Sequence, residues 1–368
     1  MFKKRLILLS FLMLLLLCYI QIGCSVRYEK QVVVHCDSKQ TYAGPILASF
    51  ARQFPEDEFQ TVMRSLPPGD RLEFLQPDQN SLSDKFDVDV DVVWDSDLLR
   101  TIKRQRDGLL LSRTWAIPRN WPISFRDTDG NWVAFAARAR VLIINDRAID
   151  STDIPKSVLD LGMPQWKDRC GISSLSSPSV RVHLAIIASS SDTIRIDINK
   201  NQRIASDNQT LDFDKWIDSL IHNVRIYESD EQLASAVVSG EVHWGVVDSD
   251  LAITMRDKNP SIRIVFPDQG EGSFGTVLVP DTISVMAAAK NPNVAGRLAD
   301  FLVSDDVEAR LTISDSAKIP LNPDPKELSR LLKGLDVKWA DIKVDNLATA
   351  WDARVAKFVK SFHANPRE

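Results

Sequence analysis

The chain has 368 residues, a formal charge of −5 and an apolar fraction of 44%. That apolar content suits a globular protein, and the acidic balance argues against a nucleic-acid partner, whose phosphates demand a basic face. The length exceeds what one small core needs and points to two domains.

In chain order, the first signal is a leader. Lys3, Lys4 and Arg5 precede an apolar run from Leu6 to Ile20 broken only by Ser10. Such a run is short for a bilayer span, which needs about 20 residues, but suits a secretory signal. Gln21-Ile22-Gly23-Cys24 then places a small residue before a cysteine. This resembles a bacterial lipobox, although Gln21 stands where an aliphatic residue is usual. The expectation is a signal peptide over 1–23, lipidation at Cys24 and a tethering linker over 24–30, with the folded part outside the cytoplasm. Cleavage would remove Lys3, Lys4 and Arg5 and leave a charge of −8 on 345 residues. Cys36 and Cys170 remain, and their places at separate strand ends suggest two structural thiols.

Val32 to His35 reads as a β-branched strand, and Pro45 to Phe54 as a helix with apolar residues at helical spacing. Val88 to Trp94 alternates and ends buried, giving a second strand that stops at Asp95-Ser96-Asp97, before a helix over Leu98–Arg106. Trp132 to Asn145 is the most strand-like stretch. Gly171 to Ser174 is another strand, running into Ser176-Ser177-Pro178-Ser179 and a helix through Ile187. Ser189 to Thr210 reads as a polar surface insertion. A helix over Leu233–Ser239 ends at Gly240, and the strand His243–Val247 ends at Asp248-Ser249-Asp250. Val277 to Pro280 is a further strand. Pro292–Leu311 and Trp339–Phe362 read as two long amphipathic helices. Strand, polar loop and helix in repetition indicate an α/β fold with mostly parallel sheets.

Ligands of open α/β sheets sit beyond the carboxyl ends of strands. Four loops have that position: Asp37-Ser38, Asp95-Ser96-Asp97, Ser176-Ser177-Pro178-Ser179 and Asp248-Ser249-Asp250. Taken singly, each is a helix cap, because Ser and Asp are preferred there. Taken together, they would bring at least four carboxylates to one cleft. Two like charges about 4 Å apart cost on the order of 4 kcal/mol at an effective dielectric near 20, so a closed cleft would need a cation or donors between them. The serine loop, with a helix N-terminus behind it, offers an anion seat. The combination suits a zwitterion, or a metal ion bound with an anion. Arg138 and Arg140 share one face of their strand and read either as an anion clamp or as an ion-paired surface. His183 and the tryptophans Trp94, Trp132 and Trp244 read as packing residues.

At this point the chain resembles the ferric-iron type of ABC-importer solute-binding proteins, within the family 1 extracellular binding proteins. The resemblance runs through Val32–Phe54, Asp91-Val92-Val93-Trp94 with Asp97, and Phe135–Val141. It continues through Val238–Val242 into Asp248-Ser249-Asp250, then Pro267–Pro280, Pro292–Leu311 and Ile319–Pro323. It implies the two-lobed type II periplasmic-binding-protein fold with a hinged ligand cleft. Lobe 1 would take 31–140 and 276–318, and lobe 2 would take 141–275 and 319–368. Together with the leader, it points to a periplasmic, membrane-anchored lipoprotein that passes cargo to an inner-membrane ABC permease. With no nucleophile–base pair, glycine-rich phosphate loop or HExxH motif in the chain, no catalysis is expected. Relatives of this type hold iron through tyrosines on the loop that here reads Asp248-Ser249-Asp250-Leu251, so tyrosine coordination is not expected. The ligand set is Asp37, Ser38, Asp95, Ser96, Asp97, Arg138, Ser177, Ser179, Asp248, Ser249 and Asp250. Asp97 and Asp248 are the metal candidates if ferric iron travels with an anion, and the alternative cargo is a small organic ion such as a phosphonate or polyamine. A membrane-anchored ligand sensor built on the same clamshell is the other class of function.

Overall fold

In the computed structural model, residues 31–38, 40–54, 60–64, 90–196, 204–207 and 209–364 are described. The leader, Cys24, the linker and the first part of the Val88–Trp94 stretch lie outside them. Among the described residues no helix is long and apolar enough to cross a membrane.

One strand organises the molecule. β4 (Trp132–Asn145) is buried along its whole length except at half-buried Arg138. Its first part, to Ala139, pairs antiparallel with β9 (Leu278–Val285). From Arg140 onward it pairs antiparallel with β7 (Trp244–Asp248), and from Leu142 with β8 (Ile262–Val265). Beyond β9 lie β3 (Val92–Asp95), β1 (Gln31–Cys36) and β2 (Gln60–Arg64). Beyond β7 lie β5 (Cys170–Ser173) and β6 (Arg225–Tyr227). The pairs β1–β2, β1–β3, β5–β6 and β5–β7 are parallel. The expected parallel pairing therefore holds on either side of the centre. The crossing strands add as many antiparallel pairs, so parallel pairs do not predominate.

The helices cover this sheet. α1 is Gln40–Gln53, which starts earlier than its apolar spacing suggested. α2 (Leu98–Arg106) is capped by Asp97 and buries Leu98, Leu99 and Ile102. α3 (Pro178–Ser190) is buried from Ser179 to Ala188, so it has no solvent face over ten residues. α4 (Phe213–Asn223) carries an apolar stripe of Phe213, Trp216, Ile217 and Leu220. α5 (Asp230–Ser239) stops at Gly240, whose φ of 81° suits glycine. α6 (Ser249–Lys258) follows β7 directly. Gly171 and Gly245 let α5 close on the sheet: a Cβ at either would lie 2.5 or 2.7 Å from Leu233 Cδ1.

Two expectations are corrected. Pro292–Leu311 is not one helix but α7 (Pro292–Leu302) and α8 (Asp305–Ile313). Ser304 with Asp305 and Asp306 is a helix-start signal that the continuing apolar spacing conceals. The C-terminal helix does not begin at Trp339. The backbone there runs extended, with Thr276 donating to Lys338 O and Ala340 donating to Thr276 O. α9 (Val344–Ala350), a π turn over Trp351–Val355 and α10 (Ala356–Ala364) follow. Trp94, Trp132, Trp244 and His183 are buried as packing residues, and Cys36 and Cys170 are buried free thiols.

Candidate functional site

The loops after β1, β3 and β7, and the one leading into α3, converge on the middle of β4. There the backbone is irregular. The β4–β9 register shifts between Phe135 and Arg138, and Ala136 has a φ of 47°. Glu308 of α8 holds this bulge by accepting from the Ala136, Leu321 and Asn322 amides at 2.8, 2.8 and 3.1 Å. Bulges re-aim side chains, and just past this one Arg138 and Arg140 both reach Asp248.

The carboxylates do meet arginines. Arg140 Nη1 lies 2.7 Å from Asp248 and 3.0 Å from Asp230, and its Nη2 donates to Val246 O at 3.0 Å. Ser179 Oγ donates to the other Asp248 oxygen at 2.7 Å. Ser173 Oγ donates to Asp230, which also accepts from the Asp248 amide at 2.8 Å. Burial would raise the Asp248 carboxyl, but Arg138 and Arg140 outweigh it and hold it at about 2. Asp230 moves the other way, upward, because burial and Asp248 together exceed the pull of Arg140. His183, buried within range of the same arginine's charge, is pushed down to about 3 by burial and by that charge, with Asp248 opposing.

Across the bulge, Asp95 accepts from Arg100 Nε and Nη2 at 2.8 and 2.7 Å and from Arg104 Nη1 at 2.6 Å. Burial opposes ionisation of Asp95, yet the two guanidiniums hold it well below the usual carboxylate range. Asp37 accepts from Ser96 Oγ at 2.5 Å and Arg100 Nη2 at 3.2 Å. Asp97 caps α2 through the Arg100 amide at 3.4 Å, and its other oxygen accepts from Arg181 of α3. Asp281 of β9 accepts from Trp94 Nε1 and from buried Lys318, both at 3.1 Å. Burial, with Arg138 nearby, lowers the Lys318 ammonium.

Arg138 stands at the centre and is held loosely. Its Nη2 donates to Ser96 O at 3.3 Å and lies 3.7 Å from Asp281, while its Nε is 3.5 Å from Asp248. Neither of its carboxylate contacts is a tight hydrogen bond, and Nε has no hydrogen-bond partner among the described residues.

The structure thus brings Asp37, Asp95, Ser96, Asp97, Arg138, Ser179 and Asp248 into one network. Ser38 is half-buried beside Asp37, its carbonyl 3.9 Å from the Cys36 thiol. Ser177 is the α3 N-cap without a side-chain capping bond. Ser249 turns to the backbone, its Oγ accepting from the Ala139 amide at 3.0 Å. Asp250 accepts from its neighbour Leu251 at 2.9 Å, and burial and Asp248 raise its carboxyl. The reading of the sequence missed Arg100, Arg104, Arg181, Asp230, Asp281 and Lys318. For Arg181 a signal was present, because Val180-Arg181-Val182-His183-Leu184 sets a charge inside an apolar helix. Chemically, the network supplies its own cations to its carboxylates. No group of three or more His, Cys, Asp or Glu side chains among the described residues is arranged to hold a metal.

The chain is 23% identical over 197 residues to the major ferric iron-binding protein of Neisseria meningitidis, covering 52% of this chain and 53% of that one. It is 27% identical over 158 residues to the Fe(3+)-binding periplasmic protein of Serratia marcescens, covering 42% and 41%. The chain thus spans about half the length of the curated relatives it matches. Among solved structures, the ferric binding protein from Campylobacter jejuni superposes with a TM-score of 0.72 at 20% identity, covering 90% of this chain and 98% of that one. An apo ferric ion-binding protein A from Pasteurella haemolytica gives 0.72 at 18% identity, covering 91% and 98%. These likenesses show the two-lobed type II periplasmic-binding-protein fold. A family model described as bacterial extracellular solute-binding protein matches residues 110–343, more than half of the chain, and the chain belongs to that family.

Proposed function

We propose that this chain is the extracytoplasmic binding component of an ABC importer, not an enzyme, and that it captures ferric iron carried with an anion. The convergence of strand-end loops on the β4 bulge carries the reading. Two partly exposed arginines, Arg100 and Arg138, with side-chain exposures of 16% and 13%, sit beside Asp37 and Asp248 at 22% and 14%. An anion would engage the guanidiniums, and the freed carboxylates would face the metal. The names of the relatives, ferric iron-binding and periplasmic, support this cargo and compartment. The lobes comprise 31–140 with 276–318, and 141–275 with 319–368. This division is supported by the partner change along β4 between Ala139 and Arg140. The mature chain is anchored by lipid at Cys24 and hands its cargo to a permease in the inner membrane. A second cargo reading, a small organic anion such as a phosphonate, is favoured by the loose hold on Arg138.

The test is thermal unfolding of the soluble Ser25–Glu368 chain against ferric citrate, citrate, phosphonates and polyamines. A ligand at about a hundred times its dissociation constant should stabilise the fold by about 2.7 kcal/mol. Stabilisation by ferric citrate beyond citrate alone is the expected result. Equal stabilisation by citrate alone would move the cargo to organic anions, and turnover of any of these compounds would end the reading.

A further inference from the structure

Arg181 occupies an unusual place. It lies on α3, buried through ten consecutive residues, so its guanidinium has no solvent face to reach. It spans instead to Asp97 at the start of α2, and both side chains are almost fully buried, at 2% and 0% exposure. Trp351 of the C-terminal π turn lies 6.0 Å from the guanidinium carbon. Burial pulls the Arg181 guanidinium below its ordinary value; Asp97 opposes that shift and Arg100 adds to it. The neighbouring carboxylate, Asp95, is held by Arg100 and Arg104. The carboxylate oxygens of Asp95 and Asp97, which a hard metal would seek, are therefore already met by cations that belong to the chain. Beside them, the charge held only loosely is Arg138.

We propose that Arg181 is a specificity-determining residue: it is a resident cation on Asp97 that bars a bare metal ion and restricts the site to ligands presenting anionic oxygens, free or already chelating iron. This rests on the binding reading above and deepens it. A metal ion at Asp97 would have to displace a buried guanidinium and then share the space with Arg100. An anionic chelate avoids both costs, because its outer oxygens meet the guanidiniums of Arg100 and Arg138 and its metal needs neither Asp95 nor Asp97.

Terbium(III) chloride is the probe, a hard trivalent cation whose emission is sensitised by nearby tryptophan. The wild-type protein should show no saturable terbium signal. Arg181→Gln should gain one at one-to-one stoichiometry, with at least a tenfold rise in emission, and adding Asp97→Asn should remove it. Arg181→Lys, which keeps the cation, should behave as wild type. A wild-type terbium site that Asp97→Asn abolishes would overturn the proposal. So would a folded Arg181→Gln variant that gains nothing. If circular dichroism shows that Arg181→Gln does not fold, Asp97→Asn alone decides. Freeing Arg181 from its carboxylate should tighten citrate binding at least fivefold, and unchanged or weaker binding would sink the idea. The terbium arms need no transported cargo. A gain in Arg181→Gln beside a wild type indifferent to citrate and ferric citrate would keep the resident cation and reject the importer reading.

Discussion

At the scale of single residues, nearly every charged group near the β4 bulge has a partner that sequence spacing could not supply. Asp95 and Arg104 are nine positions apart, but Asp248 and Arg140 are separated by 108 and Asp281 and Arg138 by more. The loops Asp37-Ser38, Asp95-Ser96-Asp97 and Asp248-Ser249-Asp250 were legible as polar strand ends, because short polar runs after β-branched stretches announce themselves. Which carboxylate is satisfied was not legible, since that depends on tertiary contacts. Asp268 illustrates the same limit outside the site. Its carboxyl accepts from Ser157 Oγ at 2.5 Å and the Val158 amide at 3.3 Å, is 3% exposed, and is pushed up to about 7 chiefly by burial. Asp160 adds to the rise, while Ser157, the Val158 amide and Lys338 oppose it. The folded state thus binds this proton more tightly than the unfolded chain does. Its contribution is fully present below pH about 4 and is lost as pH rises through 7. Asp268→Asn should therefore leave stability near pH 4 little changed and raise it, relative to wild type, at pH 8. Urea unfolding midpoints at the two pH values measure this, and a variant weaker than wild type at pH 8 would show that the carboxylate is needed ionised.

At the scale of elements, long strongly patterned stretches were legible and short ones were not. β4 and α2 lie where alternation and helical spacing put them. β2, β6 and β8 have three to five residues each, too few to show a period. The C-terminal segment was legible as helical and amphipathic, but its role was not. α9 packs on α3 and also touches α2. Thr349 accepts from Arg106 of α2 at 3.2 Å. Arg354 of the π turn donates to Ala188 O at 3.0 Å and Ser191 Oγ at 2.8 Å, at the end of α3. The segment therefore straps the two helices that carry Asp97 and Arg181 through the buried side chains Leu347, Trp351 and Val355. Leu347→Ala should cost about 2–5 kcal/mol by leaving a cavity under the strap. Lys360→Ala, on the exposed side of α10, should change stability by less than about 0.5 kcal/mol. Calorimetry of both variants reads the difference, and equal midpoints would mean that the strap is peripheral to the fold.

At the scale of the whole molecule, two domains were expected from length, and the family's fold supplies two lobes, yet the sheet does not stop between them. β4 carries hydrogen bonds to β9 on one stretch and to β7 and β8 on the next, so a single backbone ladder runs through both. Links from the two sides reinforce it: Asp97 with Arg181, Arg138 with Ser96 and Asp248, and Arg106 with Thr349. Removing one partner of a buried pair costs about 3–5 kcal/mol, a sizeable share of the roughly 5–15 kcal/mol that holds a domain together. If either lobe unfolded alone, the other would keep half of a split strand and several buried charges without partners. The expected outcome is therefore one cooperative transition despite the size of the chain, with calorimetric and van't Hoff enthalpies in agreement. An Arg181→Gln/Asp97→Asn variant should lower the midpoint while keeping a single transition, because the β4 ladder remains. Two separate transitions in the wild-type protein would mean that the crossing strands join the lobes without coupling them. Two transitions in the variant alone would assign that coupling to the buried ion pair.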